Sequence, residues 1–329
     1  MINRRPTMRI VIAALLCIAG AASPSGAQSA KTHRVAVLLP FSTEEAQPYR
    51  NAFFAGMREH GYVDGRNVVF DVRTSDRDRR NVPALVSELI ALKPDVLVSD
   101  ANAIQAIHAQ TTSIPVVLAV AGDPVRDGFA HSLRRPGLNV TGSAIPFEAL
   151  AAKHVEIMRD IRPRIRRVAL LFDTTSARCA AMEQGARTAA EQVGAAFLSY
   201  RVDNREAIER AFRTIEADRP DLLLPCPTAI LFNNRDLLFE SALRLRIAFT
   251  SFVVANLPHG VLFAYAPSFA AGYRKAATYT DKILKGSKPG DLPIEEPTTF
   301  EFVINLKTAS TLGITIPPSL LLRADQVIE

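Results

Sequence analysis

Short unbroken apolar runs alternate with longer stretches of helical spacing along most of the chain. Arg34–Leu39 (RVAVLL) has the continuous apolar character of a strand buried on both faces. Ala46–His60 then carries its apolar side chains at helical spacing and ends at Gly61, a residue suited to the position after a helix. Asn67–Val72 alternates as a second strand, Arg80–Leu92 is helical, and Asp95–Ser99 reads as a third strand. A helix over Ala101–Gln110, a strand over Pro115–Val120 and a short strand over Asn139–Thr141 complete the series.

The rhythm restarts after Glu148–Ile161, a helix. Arg167–Phe172 (RVALLF) repeats the character of the first strand. Helices over Ser176–Val193, Arg205–Ala217 and Ile230–Leu245 then alternate with strands over Ala196–Arg201, Asp221–Leu224, Ile247–Thr250 and Val261–Ala264. Two such series predict an α/β fold of two doubly wound parallel-sheet lobes. The tail breaks the rhythm: a helix over Gly272–Lys285, an extended stretch over Glu295–Asn305, a short helix over Leu306–Leu312, and a last helical stretch after Pro317 and Pro318. An extended segment after a complete second lobe implies repeated passage between lobes, hence a multi-strand hinge.

The first residues do not belong to this pattern. Met1–Arg9 holds three arginines and no acid, Ile10–Ala22 is apolar, and small residues follow. This is the layout of a secretory signal peptide with cleavage after Ala27, and the apolar run is shorter than the roughly 20 residues of a membrane span. Cleavage would reduce the formal net charge of +6 by those three arginines. No long basic run remains to suggest nucleic acid. Cys179 and Cys226 are too few for a disulfide framework, and either one bridge or two separate small apolar side chains fits them.

In an open α/β sheet, ligands bind beyond the carboxyl ends of the strands. The residues there are Phe41 and Ser42; Ser99, Asp100 and Asn102; Asp123; Phe172, Asp173 and Thr174; Cys226 and Thr228; Ser251; and Tyr265. Hydroxyls, amides, carboxylates and aromatic rings suit a small polar or amphipathic ligand. Each polar residue also reads as an ordinary helix cap, Phe41 and Phe172 as core, and Asp123 as part of a turn. Their recurrence at one edge of both lobes favours a ligand site. Gly122-Asp123-Pro124 fits no phosphate loop, because the further glycines and the Lys-Ser/Thr pair of those motifs are absent. Cys226 is the best-placed nucleophile, but Pro227 follows it and provides no N–H to an oxyanion. Neither His-Glu-x-x-His nor Cys-x-x-Cys occurs. No catalytic residue, metal or cofactor is therefore expected.

Several stretches together resemble one bacterial family. They are RVAVLLPF, FFAGMREHGYVDGRNV, ALKPDVLVS, the segment from Thr111 to Gly142 containing Gly-Asp-Pro and Arg-Pro-Gly-x-Asn-x-Thr-Gly, and the tail from Tyr279 containing Phe-Glu-Phe-Val-Ile-Asn-Leu-Lys-Thr-Ala. From about His33 to Glu329 the chain is similar to the tryptophan/tyrosine-type substrate-binding proteins of ABC importers. The resemblance implies a type I periplasmic-binding-protein fold with lobe 1 over 28–142 plus about 266–299 and lobe 2 over 147–263 plus about 304–329. Hinge crossings are implied near 142–146, 264–268 and 299–304. It also implies a periplasmic, monomeric, non-catalytic receptor that closes over a small molecule and delivers it to ABC permease subunits, meeting the membrane only through them. An amino acid or aromatic amino acid-like ligand follows from the same resemblance. Asp100 either pairs with an amino group or caps the next helix. The rival reading is a sensor or adaptor reporting ligand to a membrane receptor.

Overall fold

In a computed structural model of the chain, the described residues are 32–329 apart from 77, 177, 255, 256, 258 and 259. The expected signal segment, 1–27, lies outside them. The first sheet contains β1 (His33–Leu39), β2 (Val68–Thr74), β3 (Val96–Ser99), β4 (Val116–Ala121) and β5 (Val140–Ala144), in the order β2-β1-β3-β4-β5 and all parallel. Helices α1 (Thr43–Glu59), α2 (Val82–Ala91) and α3 (Ile104–His108) connect its strands. The residues Val35–Leu39 and all of β3 and β4 are buried, as strands covered on both faces must be.

The second sheet begins after α4 (Phe147–Ile161). It contains β6 (Arg167–Asp173), β7 (Ala196–Val202), β8 (Leu222–Pro225), β9 (Ala248–Ser251) and β10 (Phe263–Pro267), joined through α5 (Arg178–Gln192), α6 (Arg205–Asp218), α7 (Ala229–Asn233) and α8 (Arg235–Arg244). After α9 (Phe269–Leu284) the chain adds β11 (Phe300–Asn305), α10 (Leu306–Leu312), α11 (Pro318–Leu321) and β12 (Gln326–Ile328). The order is β12-β11-β10-β9-β8-β6-β7, with β11 antiparallel to β10 and the other pairs parallel. Each sheet has its own apolar core: one continuous cluster around the second, and one cluster on each face of the first.

Several elements differ from the sequence expectation, each for a local reason. The helix expected over Ala101–Gln110 starts only at Ile104, because the Asp100 carboxylate accepts from the Asn102 N–H and holds the intervening residues in a turn. The helix expected over Ile230–Leu245 is two helices, broken at Asn234, whose side-chain amide donates to the Ile230 carbonyl. The extended stretch from Glu295 is a strand only from Phe300. Its first residue instead bonds the first sheet, donating to Gly142 O and accepting from Ala144 N. β12 was not expected; Val303–Asn305 supply its partner.

The chain connects the sheets more than once. It leaves β5 for α4, which packs on α5 and under β10; it leaves β10 for α9, which packs on α1, β3, β4 and β5; and it returns through Glu295 into β11. Two glycines permit close approaches on this route. Gly142 has φ +133°, and a Cβ there would stand 2.1 Å from Leu118 O, where the β4–β5 register shifts. At Gly185 a Cβ would stand 2.0 Å from Glu148 O, so only glycine lets α5 lie this close to α4.

Cys179, at the start of α5, is bonded to Cys226, just beyond β8, with both side chains fully buried. This decides between the two alternatives the sequence allowed. The bridge spans a sequence separation of 47 residues, and by chain entropy a loop of that size contributes about 4 kcal/mol. Replacing both cysteines by alanine should therefore lower the melting temperature by roughly 10 °C in a calorimetric scan. An unchanged transition would show that the bridge does not constrain the unfolded chain.

Candidate functional site

The carboxyl ends of the two parallel sheets enclose a cavity of about 500 Å³, within the range of small-molecule sites. The first lobe's wall is built from the segment after β1, the first turns of α1, and the ends of β3 and β4. It presents Phe41, Glu45, Tyr49, Asp100, Asn102 and Gly122, together with Phe269 from the start of α9. Ser42 caps α1 through a reciprocal arrangement with Glu45: its hydroxyl receives the Glu45 N–H, and the Glu45 carboxylate accepts from its N–H and O–H. This cap fixes the helix entry, and Tyr49 lies within the second turn behind Pro48. Tyr49 stacks on Tyr273 at 5.7 Å and 14°. Burial, then the carboxylates of Glu301 and Asp100, raises the Tyr49 phenol above its usual value, so it stays a neutral hydroxyl at physiological pH.

The second lobe's wall carries the opposite charge. Arg178 begins α5, Arg235 begins α8, and both line the cavity beside Phe147, Phe232, Phe239, Phe249 and Phe252. Arg178 donates from Nη1 to Pro227 O at 3.2 Å and lies 5.6 Å from the Phe147 ring centroid. A Cβ placed on Gly122 would stand 3.8 Å from Arg178 Nη2 and from Asp127 Oδ2. The second-lobe guanidinium therefore reaches the first lobe where β4 ends in a residue with no side chain. Arg235 stacks on Phe232 at 4.8 Å and donates to its carbonyl.

Behind this wall His154 of α4 is fully buried. Its Nε2 lies 2.7 Å from Tyr265 O and its Nδ1 lies 3.0 Å from the Thr250 hydroxyl. A carbonyl only accepts, so Nε2 carries the proton and Nδ1 accepts from Thr250. The ring stacks on Phe252 at 4.0 Å. His154 thereby joins α4, β9 and β10 immediately behind a cavity side chain. Burial holds its pKa down at about 3, although the bond to Tyr265 O pulls the other way.

Of the residues singled out from the sequence, Phe41, Asp100, Asn102, Cys226, Thr228 and Ser251 line this cavity. The others are turned to other work. Ser42 caps α1, and the Ser99 hydroxyl donates to Leu38 O. Asp123 accepts from Arg126 N and pairs with its side chain. The Phe172 ring lies under the Arg201 guanidinium at 3.6 Å. Asp173 accepts from the N–H and hydroxyl of Thr175, and Thr174 is exposed, with its N–H donating to Val202 O. The Tyr265 ring stacks on Phe300 at 5.3 Å. The sequence reading missed Tyr49, Arg178, Arg235 and most of the phenylalanines. Tyr49, Arg178, Arg235, Phe147, Phe232, Phe239 and Phe269 sit in helices, Phe249 lies inside β9, and Phe252 directly follows it; only Phe252 stands where the sequence reading looked. Among the described residues no cluster of metal-binding side chains occurs, and no helix is long and apolar enough to cross a membrane.

The profile of the ABC transporter substrate binding protein family matches residues 34–328. A tyrosine-binding protein of Clostridioides difficile is 20% identical over 268 residues, 80% of this chain and 76% of that protein. A Streptococcus pneumoniae ABC domain solved in complex with L-Trp superposes with a TM-score of 0.79 at 24% identity, over 91% of this chain and all of that one. A conserved domain protein of Vibrio cholerae gives 0.78 at 24% identity, over 90% of this chain and all of that one. The fold is the type I periplasmic-binding-protein fold.

The buried imidazole makes a pH prediction. Below pH 6.5 the unfolded chain binds a proton that folded His154 refuses until about pH 3. The stability is thus complete above 6.5 and falls as pH drops, by about 1.4 kcal/mol per unit. Urea unfolding of the wild type and His154→Gln should show their difference shrinking by about 2 kcal/mol from pH 7 to pH 5. A difference independent of pH would mean that His154 takes up its proton in the folded protein.

Proposed function

Because the chain belongs to the ABC transporter substrate-binding protein family, whose members bind solutes rather than transform them, we propose that it is the solute-binding component of an ABC importer. Its ligand is a small aromatic zwitterion of the amino acid class. The observation that carries this reading is the division of charge in the cavity. Carboxylates stand on the first-lobe wall, at Asp100 and Glu45, guanidinium groups stand on the second, at Arg178 and Arg235, and aromatic rings flank both. An ammonium group suits the first wall, a carboxylate suits the forked donors of the second, and an aromatic side chain fits between the phenylalanines. The C. difficile relative, a tyrosine-binding protein, and the S. pneumoniae domain, solved in complex with L-Trp, support the same class.

The wider setting is part of the proposal. The lobes are 28–142 plus about 266–299 and 147–263 plus about 304–329, and they hinge near 142–146, 264–268 and 299–304. The two backbone hydrogen bonds between Glu295 and β5, and the pairing of β10 with β11, lie beside these crossings. Residues 1–27 act as a cleaved signal peptide. The mature monomer works in the periplasm and hands its ligand to the permease subunits, without nucleic acid, metal or catalysis. Of the residues singled out from the sequence, Phe41, Asp100, Asn102, Thr228 and Ser251 are proposed as ligand contacts, joined by Tyr49, Arg178 and Arg235.

Titration calorimetry with four related compounds tests the charge assignment. L-tryptophan should bind the mature protein, while tryptamine and indole-3-propionate, each lacking one charge, should bind about 10- to 100-fold more weakly, as expected for losing a charged hydrogen bond. Asp100→Asn should erase the penalty for lacking the amine and leave the penalty for lacking the carboxylate. If L-tryptophan, L-tyrosine and L-phenylalanine all give no heat and no thermal shift, the ligand class is wrong.

A further inference from the structure

The second-lobe wall of the cavity is cross-linked, and its sequence shows why a cross-link matters there. The segment Pro225-Cys226-Pro227-Thr228 leaves β8 and lines the cavity along its whole length. Two of its four residues are prolines and offer no N–H to the sheet. Cys226 N–H donates to Leu171 O, while the Thr228 N–H bonds only locally, to Cys226 O. The helix that follows, α7, is five residues long, and Thr228 at its N-terminus makes no side-chain cap. Pro225 is the last residue of β8 paired with β6, and Thr228 O accepts from Phe232 N in α7; the disulfide to Cys179 and the Arg178 bond to Pro227 O tie the segment to α5. Both come from the first turn of α5, which is locked against α4 by the close approach at Gly185. Thr228 is only 9% exposed, and its hydroxyl, where it borders the cavity, has no hydrogen-bond partner among the described residues.

We propose that the Cys179–Cys226 bridge is a positioning element of the ligand site: it holds residues 225–228 in binding geometry, with the Thr228 hydroxyl presented to the ligand, so that affinity depends on whether the bridge is closed. The assignment of this cavity as the ligand site rests on the function proposed above. A dithiol reductant opens the bridge by giving two electrons and two protons. One thiolate attacks a bridge sulfur, the second resolves the mixed disulfide, and Cys179 and Cys226 are left as thiols while the reductant becomes a disulfide. By thermodynamic linkage the coupling is reciprocal. Whatever affinity the closed bridge adds, bound ligand returns as resistance to reduction.

A bridge that acts only on the unfolded chain lowers the melting temperature and leaves the folded wall alone, so the test needs other readouts. Hydrogen exchange is compared at 20 °C between the oxidised mature protein and Cys179→Ala/Cys226→Ala, with circular dichroism confirming that both are folded. Amides in 226–233 should exchange at least 10-fold faster in the variant while those of Val168–Leu171 are unchanged. L-tryptophan and L-tyrosine should bind the variant about 10-fold more weakly. Wild-type protein reduced by a dithiol should match the variant in both respects, which covers the case where the double substitution perturbs folding. Equal exchange at 226–233 in the oxidised and open forms overturns the proposal, whatever binds. Equal affinity of the two forms for a compound that binds overturns it as well. If neither amino acid binds the oxidised protein, the ligand class proposed above fails, and the exchange comparison alone decides the role of the bridge.

Discussion

The site depends on one constraint: parallel strands buried on both faces must be connected by helices that cover those faces. Val35–Leu39 and Leu222–Leu224 are fully buried, so neither sheet tolerates an exposed side. Parallel order then brings the carboxyl ends of all the central strands to one edge, and every connection to the next helix starts there. Two such edges facing one another enclose the cavity. The helices add rings and charges from their first two turns, which is how Tyr49, Arg178 and Arg235 come to lie beside residues distant in sequence.

This explains which parts of the molecule were legible beforehand. Strand positions, the repeat of RVAVLL as RVALLF, and the edge on which the site lies follow from apolar patterning, which records burial directly. Side chains at that edge are less legible, because short polar residues placed straight after a strand are readily captured by nearby backbone. Ser99, Asp123 and Asp173 are captured in this way, by Leu38 O, Arg126 N and Thr175 N. Arg178 and Arg235, at the starts of helices, bond to backbone and line the cavity as well, yet nothing in a linear pattern distinguishes an arginine there from any solvated arginine. The break at Asn234 and the edge strand β12 were hidden for the same reason: each depends on a partner far away or on a single side-chain bond.

His154 shows how the second lobe stays rigid behind an aromatic lining. A neutral imidazole satisfies one acceptor on β10 and one hydroxyl on β9 while offering its face to Phe252. A charged group there would face a desolvation cost, and its partners Thr250, Tyr265 O and Phe252 carry no charge to offset it. The depressed pKa is the physical signature of that choice.

The separation of charge between the lobes has a consequence for closure. Were acid and base on the same wall, a zwitterion would be satisfied by an open lobe and would gain little from the other. With Asp100 and Glu45 on one side and Arg178 and Arg235 on the other, both ends of such a ligand are paired only when the walls are together. A ligand shifts a conformational equilibrium only by its difference in affinity for the two states, and this arrangement places that difference in the ionic contacts. On the proposed reading, the apolar rings would hold an aromatic zwitterion in either state, whereas the charges would distinguish the closed state from the open one. A compound carrying the ring and only one charge would then bind without driving closure to the same extent.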